Sequence, residues 1–260
     1  MITIKSPKEF AKMAKAGRCV AVMHAEIRAA AKPGVTTGEL DDVARRVLAA
    51  HDCQASFLGY GFPPFPGAIC ASPNDVIVHG IPGDYHLEDG DIIAIDAGAI
   101  YDGYHGDAAF TMAVGEVPIE VTSLIDVTEE AMWLGISQVR HGARVGDIGA
   151  AVESVARPHG FGVVREYVGH GIGRHMHEEP QIPNYGVKGK GTKLRTGMAV
   201  CIEPMFNLGD AGTKVDADQW TVRTADGSLS AHWEHTVCIT PDGVVVTTVP
   251  EDAAIPVSLG

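Results

Sequence analysis

The stretch GDIIAIDAGAIYDGYHGDAAF, Gly90 to Phe110, decides the fold. Gly90–Ala97 runs almost wholly apolar, as an interior strand does. Tyr101–Gly103 has turn chemistry and His105–Val114 returns as a second strand, so the spacing predicts a β-hairpin. Each arm carries one carboxylate in apolar surroundings, Asp96 and Asp107. A buried carboxylate without a partner is costly, so something must hold both.

Working outward, the N-terminal side predicts two helices. Ser6, Pro7 and Glu9 supply a cap, an N1 proline and an N3 acid, and Phe10, Met13, Gly17, Val20, His24 and Ile27 follow at helical spacing. That helix stops before Lys32–Gly34, and Thr36 with Glu39 caps a second one. Phe57–Ile69, rich in Gly, Pro and aromatics, reads as a loop, packed on the core or walling a pocket. Asp75–Gly83 reads as a short strand running into His79. On the C-terminal side, Val121–Val139 and Val145–Ala156 read as helices. The stretch VVREYVGHGIG reads as strand then glycine loop, and Met198–Glu203 and Glu234–Thr240 as strands.

The chain repeats itself. KPGVTTGELDDVARRVLAAHD (Lys32–Asp52) parallels RHGARVGDIGAAVESVARPHG (Arg140–Gly160), and LEDGDIIAID (Leu87–Asp96) parallels LRTGMAVCIE (Leu194–Glu203). Asp96 then matches Glu203, and a second acidic strand follows in each half, with Asp107 in the first and Glu234 in the second. The expectation is one α+β domain over residues 1–260, with pseudo-repeats at residues 6–118 and 119–250. Antiparallel sheets lie inside, helices outside, and the four acids meet near a pseudo-two-fold axis.

Composition narrows the function. The net charge of −13 over 260 residues argues against nucleic acid as the main partner. Five widely spaced cysteines, Cys19, Cys53, Cys70, Cys201 and Cys238, form no CxxC pair and suit a reducing compartment. The basic residues near the N-terminus are spread through a helix with no separate apolar core, unlike a signal peptide, and no apolar run is long enough to span a membrane. A cytoplasmic protein is expected. No HExxH helix and no phosphate-binding glycine loop is present, and the basic, glycine-rich Gly186–Leu194 reads as a solvated loop.

Four carboxylates in one cleft repel each other and take up protons unless cations join them. Carboxylates can chelate one divalent ion or bridge two. Among the histidines, His170 has the most specialised surroundings, between glycines in YVGHGIGRHMHEEPQ, and His79 sits beside glycine at a strand end.

Taken together, KPGVTTGELD, VHGIP, LEDGDIIAIDAGAIYDGYHGD, GHGIGRHMHEEPQIPNYG, LRTGMAVCIEPM and SAHWEHTV make the chain resemble the type I methionine aminopeptidases, metallopeptidases of the pita-bread fold, from about Ser6 to Pro250. That resemblance implies two divalent ions (manganese, iron, cobalt or zinc) on Asp96, Asp107, His170, Glu203 and Glu234, with Asp107 and Glu234 bridging. It implies His79 near the substrate nitrogen, His177 near the scissile carbonyl, and Glu203 as the proton shuttle. Tyr60, Phe65, Cys70 and Trp220 would take the methionine side chain. Met176, where relatives commonly have phenylalanine, would modify the pocket rim.

The implied substrates are peptides and nascent polypeptides that begin with methionine, preferentially before a small second residue. A monomer in transient contact with the ribosome, away from membranes and without specific nucleic-acid binding, is expected. N-terminal extensions and the long insertion of the type II branch are expected to be absent. Two rivals share the fold: a peptidase that cleaves before proline, and a non-catalytic binding protein, which would be expected to lose ligands.

Overall fold

A computed structural model describes residues 2–259. Four helices carry the outer layer: α1 (Pro7–Ala30), α2 (Thr37–Ala50), α3 (Ile119–Ile136) and α4 (Val145–Ala156). The capping boxes form as predicted. The Ser6 amide donates to the Glu9 carboxylate at 2.7 Å, and the Thr36 amide to Glu39 at 2.7 Å, with Glu39 N–H returning to Thr36 Oγ1. The third helix is shifted from the expected Val121–Val139. Pro118 supplies its N-cap, and Ser137–Val139 already turn toward the Gly142 bend, with amides bonded to nearby carbonyls.

Strands of the first half are β1 (Gln54–Ala55), β2 (Ile69–Pro73), β3 (Val76–Val78), β4 (Ile92–Tyr101) and β5 (Tyr104–Ala113). Those of the second are β6 (Gly162–Val163), β7 (Gly169–Gly171), β8 (Glu178–Ile182), β9 (Ala199–Ile202), β10 (Met205–Asn207), β11 (Thr213–Val215), β12 (Val222–Thr224), β13 (Ser230–His232), β14 (Glu234–Thr240) and β15 (Gly243–Val246). The main sheet has the order β1-β4-β5-β14-β9-β7-β8, with β2 on β4 and β15 on β14, and its pairings are antiparallel. The hairpin β4–β5 turns at Asp102 and Gly103, whose φ angles of 46° and 75° suit a two-residue primed turn. The strand β14, late in the chain, lies between β5 of the first half and β9 of the second.

Helix α1 lies against β4 and β5. Its face of Met13, Val20, Met23 and Ile27 is fully buried, each side chain contributing about 1.5–3 kcal/mol on transfer from water. It crosses β5 at Gly17 and Gly106. A Cβ on Gly106 would lie 2.6 Å from the Gly17 nitrogen, so a larger residue there would push the helix off the sheet. All five cysteines are free and four are buried. No helix among the described residues is long and apolar enough to cross a membrane.

One expectation about glycine needs correcting. His170 lies inside a short strand, β7, rather than in a loop. Its flanking glycines serve the packing of neighbouring strands. A Cβ on Gly169 would meet the Cys201 carbonyl at 2.3 Å, and one on Gly171 the Glu179 carbonyl at 2.2 Å.

Candidate metal centre and pocket

Sheet register brings the acids together. Ala109 of β5 pairs with Asp96 of β4 on one side and with Glu234 of β14 on the other. Directly opposed residues share a face, and so do residues two apart on one strand. Asp96, Asp107 and Glu234 therefore project to the same side. Cys70 joins them through its pairing with Asp96. The β14–β9 register, with Thr236 opposite Cys201, carries Glu203 to that face just beyond the end of β9.

Ligand atoms of Asp96, Asp107 and Glu234 lie within 4.8 Å of one another, as do those of His170, Cys201 and Glu234. His170 Nε2 is 3.4 Å from Glu203 Oε1, while its Nδ1 faces the Gly171 carbonyl at 2.9 Å, which aims Nε2 at the cluster. Asp96 Oδ1, Asp107 Oδ1 and Glu234 Oε1 are buried with no hydrogen-bond partner. Such orphaned anionic oxygens fit divalent cations, and the carboxylate–imidazole donor set suits manganese, iron, cobalt or zinc.

Burial pushes all four acids upward. Mutual repulsion adds to this for Asp96, Glu203 and Glu234, and Asp107 rises from 3.8 to about 7. The sign of the consequence follows. Between these values the folded metal-free state binds a proton that the unfolded state has released, so stability falls as pH rises. Metal-free protein is expected to lose thermal stability as pH rises from about 4, and to go on losing it beyond about pH 7, because Asp96, Glu203 and Glu234 are held well above the usual carboxylate range. Divalent metal should remove this slope. Thermal unfolding scans across pH, with Asp107→Asn as the reference, test it; equal slopes in the two metal-free proteins would contradict the assignment.

One cavity of about 200 Å³ is lined by every residue singled out from the sequence: Tyr60, Phe65, Cys70, His79, Asp96, Asp107, His170, Met176, His177, Glu203, Trp220 and Glu234. Phe57, Phe65, Cys70 and Met176 form a buried apolar cluster at its side, with Trp220 packed on it. Met176 is thus part of the wall and not of the rim. Trp220 sits edge-on to Phe65 at 5.3 Å, and its Nε1–H donates to the Pro63 carbonyl at 2.9 Å. His79 adopts φ 60° at the end of the β3 run and meets Tyr167 and Trp220 edge-on. Burial, then His177, lowers its pKa to about 4.

Tyr60 does more than wall the pocket: its hydroxyl is 2.7 Å from His177 Nδ1. The His177 ring stands 4.4 Å from that of His170. Four further lining residues escaped the sequence reading: Val78, Tyr167, Val168 and His232. His232 is buried, with Nε2 3.9 Å from Glu203 Oε2. Its spacing of two from Glu234 was the available signal, since alternation sends both side chains to one face.

Comparison with known proteins identifies the family. The model of metallopeptidase family M24 matches residues 11–241. Methionine aminopeptidase 1 of Bacillus subtilis is 46% identical over 248 residues, which cover 95% of this chain and 99% of that protein. A methionine aminopeptidase structure from Thermotoga maritima superposes with a TM-score of 0.93 at 41% identity, over 96% of this chain and 100% of that one. The chain belongs to metallopeptidase family M24, among its methionine aminopeptidases, and is a hydrolase with the pita-bread fold. An Xaa-Pro dipeptidase structure from Bacillus anthracis, 23% identical with a TM-score of 0.76 over 97% of this chain and 64% of that one, shares the fold.

Proposed function

We propose that the chain removes N-terminal methionine from peptides and nascent proteins in the cytoplasm, preferentially before a small residue. It would do so with two divalent ions on Asp96, Asp107, His170, Glu203 and Glu234. The observation that carries this reading is the juxtaposition of orphaned, buried carboxylate oxygens with an apolar wall in one small cavity. The single catalytic domain works as a monomer and meets its substrates near the ribosome.

Divalent ions bound there supply Lewis acidity to water and to the scissile carbonyl. The protein's own groups do the rest. Glu203 accepts the proton of the attacking water and delivers it to the leaving nitrogen. His177 hydrogen-bonds the carbonyl oxygen as charge develops on it. His79, kept neutral by burial, orients the nitrogen. The aromatic and sulfur-bearing wall takes the thioether, a polarizable group that packs well on ring edges.

The test is hydrolysis of Met-Ala-Ser against Ala-Pro-Ser by metal-stripped protein before and after adding back manganese or cobalt. Metal-dependent release of methionine alone is expected. Cleavage of Ala-Pro-Ser alone would replace this reading with a proline-directed peptidase. No turnover with metal bound would leave a binding protein.

Tyr60 has a specific part in this scheme. When its hydroxyl donates to His177 Nδ1, the proton on that ring sits on Nε2, where it can meet the carbonyl oxygen. Tyr60→Phe is expected to lower kcat about tenfold with little change in KM, the cost of one hydrogen bond expressed in the transition state. A raised KM with unchanged kcat would make Tyr60 a wall residue only.

A further inference from the structure

Alternation along His232-Trp233-Glu234-His235 divides one stretch of chain between two cavities. His232 and Glu234 face the metal centre. Trp233 and His235 face the opposite side of the sheet, toward α1, where a second cavity of about 260 Å³ shares no lining residue with the first. Its lining includes His24, Arg28, Phe110, Trp233, His235 and Val249. Nothing in the peptidase reading uses these groups.

Two polar atoms beneath the lining of this cavity lack partners. Trp233 Nε1 and His24 Nε2 are buried with no hydrogen bond, and their residues are only 8% and 9% exposed. An indole N–H can only donate, so it calls for an acceptor. Arg28 stands exposed at the mouth, its guanidinium 3.7 Å over the Phe110 ring and 5.4 Å from that of Trp233. No salt bridge or side-chain hydrogen bond of Arg28 is found among the described residues, and Glu129, whose charge it feels, does not line the cavity. His235 is already engaged, with Nδ1 2.9 Å from Thr248 Oγ1.

We propose that this cavity binds a small organic monocarboxylate, with its carboxylate on Arg28 and on the Trp233 N–H once a small shift of the indole uncovers it, and its hydrocarbon part against Phe110 and Val249. Two donors with a single fixed positive charge match one carboxylate. His24 adds no charge, because burial first, then His235 and Arg28, lower its pKa to about 3. A divalent phosphate would leave a negative charge uncompensated against apolar walls. The volume suits a ligand of a few heavy atoms, below the range of larger cofactor sites.

Calorimetric titration of the metal-loaded protein with sodium butyrate, and separately with sodium phosphate and sodium chloride at matched ionic strength, tests the proposal. Saturable butyrate binding at one site, preferred over both inorganic anions, is expected. Arg28→Gln should weaken it at least about tenfold and Trp233→Phe by a smaller factor, as loss of a charge-assisted and a neutral hydrogen bond predicts. His170→Ala should leave it intact. Absence of saturation, equal binding of phosphate or chloride, or undiminished affinity in Arg28→Gln would overturn the proposal. Loss in His170→Ala with retention in Arg28→Gln would do so too, by placing butyrate on the metal centre. Should Trp233→Phe misfold, the exposed Arg28→Gln decides the matter.

Discussion

His170→Ala is expected to lower metal affinity and hydrolysis together, with turnover at limiting metal falling at least about a hundredfold. Removing this ligand leaves carboxylates alone to hold a cation whose Lewis acidity is worth several kcal/mol to the reaction. Metal content after dialysis, measured alongside peptide hydrolysis, checks this. A variant with full metal content and full activity would remove His170 from the centre.

Glu203→Gln, assayed at saturating metal because the neutral amide also weakens that ligand, should isolate the chemistry. The amide keeps the shape of the side chain but cannot carry the proton from water to the leaving nitrogen. kcat is expected to fall about 10²–10⁴-fold, the usual range for a lost general base, with KM nearly unchanged. Asn184 Nδ2 donates to the Glu203 backbone carbonyl at 2.9 Å and holds the segment in place whatever the side chain. Wild-type kcat in this variant would assign the proton transfer to another group; His232 beside it would be the next candidate.

Much of this site was legible because period-two alternation and the internal repeat act on the same residues. The two carboxylates of the Gly90–Phe110 hairpin sit in apolar runs, and their counterparts Glu203 and Glu234 recur after matching helices. Antiparallel register then leaves little freedom in where they point. Long-range loop contacts were less legible. The Tyr60–His177 hydrogen bond spans 117 positions and the Trp220–Pro63 bond 157, and no local pattern encodes either. The strand around His170, expected as a loop, was hidden for a related reason. A glycine demanded by a neighbouring strand looks the same in sequence as one demanded by a turn.

The position of β14 bears on how the molecule is made. The first half can complete its hairpin and the second can form β9, but each then presents an open edge until Glu234–Thr240 is synthesised and slots between them. Unpaired edges invite association with other chains, and closing them with a late segment is a slow, long-range step. The same segment delivers Glu234. A chain truncated before it lacks both the strand that closes the sheet and an acid of the centre. On the proposed ligand set, stable metal capture would then be a property of the finished polypeptide, gained at the moment its two halves are joined.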